Sequence, residues 1–364
     1  VHLARLWLTD FRCYQHAELE LATGITVVSG ANAQGKTSLL EAVAWAATGS
    51  SFRGVPDAAL VRAGRDVAIV RTDVVDDERE QRFEAEIHVV GRNRVQVNGR
   101  ALRRVQDRAS VMRVTVFAPD DLQLVKAGPA GRRAYLDDLL VTIAPRYAAV
   151  RGEYDRILRQ RNALLKQGLR TRDDEHTLDV FDTQLAASGA ELVRGRLRML
   201  DDLVPLVDAS YRELAGDAVG VGAAYESSWL PDPTADPEPV LRAALRDRRR
   251  VEQERRVTLA GPHRDEWRLE IGALDSRVHS SQGEQRTLAL ALRVAGHRLA
   301  TDVVGSAPIL LLDDVFSELD EQRAAALLAH LDSGQTLVTT AGTIPTGLRA
   351  QQVLRVDAGR LEAA

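Results

Sequence analysis

The chain has 364 residues, 45% apolar and 27% charged, enough for two or three domains with well-buried cores; this composition excludes a fibrous or wholly disordered chain. A single cysteine, Cys13, excludes a disulfide framework and fits a reducing, cytoplasmic setting. The net charge of −4 argues weakly against a polyanionic partner, but its distribution points the other way. Residues 146–172 hold eight basic and two acidic side chains, residues 242–256 hold seven and three, and the remainder carries −14.

The opening stretch VHLARLWLTDFRCY alternates like a strand, and Asp10 and Arg12 break it before an apolar signal core could form. No later run approaches the ~20 apolar residues of a membrane span, so a cytoplasmic protein with no membrane partner is expected. ITVVSG predicts a short buried strand, and SLLEAVAWAATG a helix closed by Gly49. AEIHVVGRNRVQVNGRAL predicts a hairpin-like pair turning at Gly91–Asn93, with a second turn at Asn98–Gly99, and MRVTVFAPDD another strand.

From about residue 120 the pattern changes to long helices. Tyr135, Leu136, Leu139, Leu140 and Ile143 form one stripe, and Tyr147, Val150, Tyr154, Ile157 and Leu164 another after Pro145. Beyond a polar linker at 167–177, Leu178, Phe181, Leu185, Val193, Leu197, Leu200, Val204, Val207, Tyr211 and Leu214 continue the spacing. These predict a helical hairpin or small bundle packed on its apolar faces. A proline-rich connection, LPDPTADPEP at 230–239, is a plausible place for the insertion to rejoin the main domain, and strands return from about 257. The expected architecture is a discontinuous α/β domain, 1–120 and 240–364, carrying an inserted helical arm, 121–239.

Gly30-Ala31-Asn32-Ala33-Gln34-Gly35-Lys36-Thr37 fits the phosphate-loop pattern G-x-x-x-x-G-K-[ST], between an apolar strand and an amphipathic helix. Backbone N–H groups of such a loop face phosphates and the helix N-terminus adds partial positive charge. Lys36 is expected on the β- and γ-phosphates, and the Thr37 hydroxyl on a magnesium ion. Only three of the 48 basic residues are lysines, so a lysine at this position argues against a chance match. PILLLDDVFSELD supplies the matching acids: Asp313 at the end of an apolar strand as the magnesium carboxylate, and Asp314 to polarise the attacking water. Together these motifs predict an NTPase that uses Mg2+.

With 276 residues between Lys36 and Asp313, the chain is too long between motifs for a nucleotide kinase or small GTPase core. HSSQGEQRTLAL resembles a second phosphate-binding helix start, at Ser281, Gln282, Gly283 and Glu284, without a lysine. A serine hydroxyl, free N–H groups and a helix dipole suit a second jaw on a phosphate held elsewhere, by the loop of another subunit. That arrangement resembles the ABC-type ATPases: SSQGE stands where they carry L-S-G-G-Q or L-S-G-G-E, and Ser317 to Asp320 (SELD) matches their D-loop.

The series LARLWLTDFRCYQHAELEL, the phosphate loop, FAPDDLQLVKAGPAGRRAYLDDLL, TLAGPHRDEW, SSQGEQR and LLLDDVFSELD resembles the RecF family from end to end. The resemblance implies an ABC-type, SMC-like ATPase head with a mixed sheet and phosphate loop and a short helical arm. It implies slow ATP hydrolysis, an ATP-dependent homodimer, binding to double-stranded and gapped DNA, and work with RecR and RecO to place RecA at gaps. Arg156, Arg159 and Lys166 in the first basic stretch and Arg248 and Arg249 in the second are the candidate DNA contacts.

Thr339 or Thr340 occupies the neighbourhood where transporter ATPases keep a switch histidine, and Gln123 is the nearest Q-loop candidate. His263, Arg264 and Asp265 either sense nucleotide across a dimer or tie a turn to the head, and Arg12 either reaches the nucleotide or lies on the surface. A transporter-type ATPase subunit lacks support without the switch histidine and a full signature, and an SMC-like DNA tether needs hundreds of heptad residues absent here.

Overall fold

The computed structural model describes residues 1–364 apart from 77–78, 103–107, 109–110, 217–218, 330–333 and 364, and the side chains of residues 318 and 363 also fall outside the description. In β1 (His2–Phe11) and β2 (Tyr14–Glu20), Leu6, Leu8, Phe11, Tyr14, Ala17 and Leu19 are buried, and Arg5, His16, Glu18 and Glu20 face solvent. β3 (Ile25–Ser29) has three successive buried residues, Thr26, Val27 and Val28, as in a strand covered on both faces. It leads through the glycine-rich loop into α1 (Lys36–Thr48), which ends at Gly49 with φ 78°. β4 (Val67–Asp76), β5 (Arg79–His88), β6 (Arg94–Val97) and β7 (Arg100–Ala101) follow as antiparallel neighbours, and β8 (Val114–Phe117) closes the first run of strands.

The helices are α2 (Leu122–Lys126), α3 (Pro129–Ile143), α4 (Arg146–Gln167) and α5 (Arg172–Ala215). α5 has 44 residues, about 66 Å at the usual rise, and continues through Pro205. The stretch expected as a linker over 167–177 is mostly helix, because Thr171 and Asp174 cap its start. Asp174 accepts the Thr171 N–H at 2.9 Å, and its own N–H meets the Thr171 hydroxyl at 3.2 Å. Next come β9 (Val221–Glu226), α6 (Pro237–Arg255), β10 (Glu266–Ile271), β11 (Leu274–Asp275) and α7 (Ser276–His279). The chain ends with α8 (Gln282–Val304), β12 (Ile309–Asp313), α9 (Glu321–Leu328), β13 (Thr336–Thr340), β14 (Gln352–Asp357) and β15 (Arg360–Ala363).

Contacts divide the chain into two units. The first comprises Val1–Leu122, Ala209–Ala218 and Arg286–Ala364. Among the described residues it holds an antiparallel sheet ordered β2-β1-β4-β5-β6-β7 and a largely parallel sheet ordered β15-β14-β3-β13-β12-β8. α1 lies against β1 and β4 of one and β8, β12 and β13 of the other. Its Leu39, Leu40, Val43 and Trp45 are at most 1% exposed, and burial of each such side chain contributes about 1.5–3 kcal/mol.

The second unit comprises Gln123–Asp208 and Val219–Gln285. Residues 240–285 thus group with the helices, whereas the sequence partition left them with the head. The reason is pairing at long range: β9 runs antiparallel to β10 from Val221 opposite Ile271 to Glu226 opposite Glu266. Ion pairs reinforce it, with Arg132 on the half-buried Glu266 at 2.9 Å and buried Arg161 on both Asp182 and Glu252 at 2.7 Å. The core beneath holds Tyr154, Ile157, Leu185, Val193, Trp229, Leu241 and Leu245. Among the described residues no helix is long and apolar enough to cross a membrane.

Candidate nucleotide site

The phosphate loop depends on its two outer glycines. Gly30 has φ 154° and a Cβ there would stand 2.4 Å from the Val356 carbonyl oxygen. Gly35 has φ 119°, a left-handed conformation, and a Cβ there would meet Cys13 Sγ at 2.6 Å and Tyr14 Oη at 3.0 Å. Neighbouring elements brace the loop from two sides. Tyr14 donates its hydroxyl to the Gly35 carbonyl at 3.0 Å. In the β14–β15 turn, the Ala358 N–H reaches Gln34 Oε1 at 2.6 Å and the Gly359 N–H reaches the Gln34 carbonyl at 3.1 Å.

Lys36 Nζ donates to the carbonyls of Gly30 and Ala31, both at 2.8 Å, so the ammonium lies across the mouth of the loop. An ammonium has three donors, which leaves capacity for a phosphate oxygen. Thr37 follows on the first turn of α1 and donates its hydroxyl to Asp313 Oδ1 at 2.9 Å. Two motifs at opposite ends of the sequence therefore meet, because β3 and β12 flank β13 in one parallel sheet. Burial pushes the Asp313 carboxyl up from the ordinary range, against the lowering effect of hydrogen bonds from Thr339 and Thr37. A hydroxyl and a carboxylate are hard oxygen donors, a set that fits magnesium with water completing its shell.

Asp314 is a non-glycine residue in the left-handed region, φ 50° and ψ 27°. Its N–H donates to the Thr339 hydroxyl at 2.9 Å, and its Oδ1 accepts the Ala341 N–H at 3.4 Å. The Ser317 hydroxyl donates to the Asp314 carbonyl at 2.7 Å, and Asp320 caps α9 by accepting the Arg323 N–H at 2.9 Å.

Ser281 to Glu284 stand, as expected, at the start of a helix, α8. Ser281 is its N-cap, and the Glu284 carboxylate accepts the Ser281 N–H at 2.7 Å. That bond holds the Glu284 carboxyl below its usual range. Gln123 is an exposed residue of α2 in the second unit.

Several side chains act differently from the readings open in the sequence. Arg12 is clamped by Glu41, with both carboxylate oxygens at 2.8 Å, and by the Ala59 carbonyl at 2.9 Å. Glu41 is fully buried and also takes the Ser51 hydroxyl, a role with no sequence signal beyond an acid inside an apolar helix. The turn Gly261–Glu266 is tied within the second unit. Asp265 accepts the Tyr225 hydroxyl at 2.7 Å and the Trp229 indole at 2.9 Å, and His263 Nδ1 lies 2.5 Å from the Tyr154 hydroxyl.

Of the candidate DNA contacts, Arg156, Arg159 and Lys166 share an exposed side of α4. Arg249 on α6 pairs with Asp179 at 2.5 Å and Asp182 at 2.7 Å, and Arg248 donates to the carbonyls of Leu259 and Ser228.

Residues 2–358 match the family model described as the RecF/RecN/SMC N terminal domain. A Kineococcus radiotolerans protein named DNA replication and repair protein RecF is 43% identical over 381 residues, covering 98% of this chain and 97% of its own. The chain belongs to the RecF family. An Acidothermus cellulolyticus RecF is 40% identical over 361 residues, covering 96% of this chain and 97% of its own. A RecF structure, described as the recombination mediator protein RecF-ATP in the RecFOR pathway, superposes with a TM-score of 0.91 at 29% identity, covering 100% of this chain and 97% of that one. An Smc head bound to the C-winged helix domain of ScpA gives 0.59 at 15% identity, covering 100% and 97%, a likeness of fold alone. The ABC-type, SMC-like head expected from the motifs is the fold observed.

Proposed function

We propose that this RecF-family chain is a DNA replication and repair ATPase that uses ATP as a reversible dimer clamp on double-stranded and gapped DNA, acting with RecR and RecO to help load RecA. The observation that carries the reading is the 2.9 Å bond between Thr37 and Asp313, which joins the phosphate loop to the acidic strand end. The relatives' name and the ATP-bound RecF structure support it.

In this mechanism the loop from Gly30 to Thr37 cradles the triphosphate, and Lys36 meets its β- and γ-phosphates. Thr37 and Asp313 would hold Mg2+, which supplies charge neutralisation on the transferring phosphoryl group. Asp314 orients and polarises the attacking water. Ser281, Gln282, Gly283 and Glu284 of a second copy close over the γ-phosphate, with Ser317 and Asp320 at the same junction. Closure brings basic surfaces together, so ATP raises DNA affinity and slow hydrolysis releases it. The exposed α4 side with Arg156, Arg159 and Lys166 is the first choice for phosphate contact, since Arg248 and Arg249 already serve partners of their own.

Light scattering with ATP tests this reading on wild type, Lys36→Met and Ser281→Arg. Wild type should dimerise; the lysine variant should not bind nucleotide, and the serine variant should bind it without dimerising. ATP-dependent dimers from Ser281→Arg would overturn the clamp.

A further inference from the structure

We propose that Thr339 is a positioning residue for ATP hydrolysis, one hydroxyl that sets the geometry of both Asp313 and Asp314; the inference rests on the nucleotide-site reading above. Thr339 Oγ1 donates to Asp313 Oδ1 at 2.8 Å and accepts the Asp314 N–H at 2.9 Å. A hydroxyl has one proton and two lone pairs, so this side chain serves as donor to one acid and acceptor for the other at the same time. Thr339 is 1% exposed on β13, directly opposite Asp313 of β12.

The two bonds do different things. The Thr37 hydroxyl also lands on Asp313 Oδ1, at 2.9 Å, and two donors converging on one oxygen fix the rotation of that carboxylate. Asp314 has the harder position, because a residue with a Cβ resists its left-handed backbone, φ 50°. The Thr339 hydroxyl holds the N–H of that strained residue, and the Ala341 N–H just past the end of the same strand reaches its carboxylate at 3.4 Å. The end of β13 therefore grips Asp314 by backbone and side chain, and Thr339 links that grip to the magnesium carboxylate. Thr340 is no substitute: its hydroxyl accepts the Gly342 N–H at 3.2 Å.

Valine preserves the shape of threonine and removes both bonds; serine preserves the hydroxyl and removes the methyl. The full chain is assayed as wild type, Thr339→Val, Thr339→Ser, Lys36→Met and Asp314→Asn, for steady-state ATPase with DNA, binding of a fluorescent ATP analogue, and melting. In Thr339→Val, kcat should fall about 10–100-fold while KM and analogue affinity stay within about threefold of wild type. Thr339→Ser should restore most of kcat. Wild-type kcat in Thr339→Val, with Lys36→Met and Asp314→Asn inactive, overturns the role of Thr339 and leaves the site reading standing. Unimpaired hydrolysis in Lys36→Met and Asp314→Asn overturns both. Should the valine variant melt early, serine decides: recovered kcat supports the proposal, and a bound-but-inactive serine variant overturns it.

Discussion

Ser281 and Glu284 satisfy each other at the start of α8: the Ser281 N–H donates to the Glu284 carboxylate at 2.7 Å, and the Glu284 N–H donates to the Ser281 hydroxyl at 3.3 Å. One donor of this helix start, the Ser281 N–H, is thus engaged by the chain's own acid, and an incoming anion must compete with that carboxylate for it. Glu284→Gln keeps the capping pattern and removes the charge, so half-maximal ATP-induced dimerisation should need several-fold less ATP, read by light scattering. Ser281→Ala removes the cap itself, costing about 1 kcal/mol, and should shift the same curve the other way.

Gly35→Ala is expected to abolish tight nucleotide binding. The left-handed φ of 119° and the 2.6 Å approach to Cys13 Sγ both resist a Cβ. Backbone strain of this kind costs about 1–3 kcal/mol. Fluorescent-nucleotide titration should show at least a tenfold loss, and Cys13→Gly in the same chain should not repair it, since it relieves the contact and not the φ.

His263 gives the second unit a pH dependence. Burial, the largest cause, pushes its imidazole down to about 4 from 6.5. Between those values the unfolded chain takes up a proton that the folded one refuses, so stability rises with pH across the window and is lost as pH falls from 7 towards 4. The full effect is about 3 kcal/mol. Denaturant unfolding at pH 7, 6, 5 and 4 should show this slope in wild type and a shallower one in His263→Gln.

Charge reversal on α4 should weaken DNA binding without regard to sequence. If Arg156, Arg159 and Lys166 meet phosphates, each Glu variant should flatten the plot of log affinity against log salt by about 0.9. An unchanged slope in all three would place the DNA surface elsewhere. Reversal at Arg249 is different in kind, because it breaks pairs with Asp179 and Asp182 and should lower the melting temperature instead.

How much of this was legible depended on how local each signal is. The phosphate loop, α1 with its Gly49 stop, and the apolar strand ending in Asp313 are set by neighbours within a few residues, and all were readable. The start of α5 was obscured because polar residues can mark either a linker or a capped helix, and Asp174 decides for the helix only by bonding Thr171. Grouping 240–285 with the helices rests on β9 meeting β10 and on Arg161 meeting Glu252, pairings separated by dozens of residues and invisible to periodicity. Arg12 illustrates the same limit within the site. Its loop position was apparent, whereas its engagement by Glu41 depends on how α1 packs against the end of β1.

The bracing of Gln34 by Ala358 and Gly359, and the insertion of β3 between β13 and β14, make the site a late product of synthesis. The strands on either side of β3 are made some 300 residues after it, roughly 15–60 s later at ordinary translation speeds. A nascent chain therefore carries the phosphate loop long before it has Asp313 and the strands that flank β3.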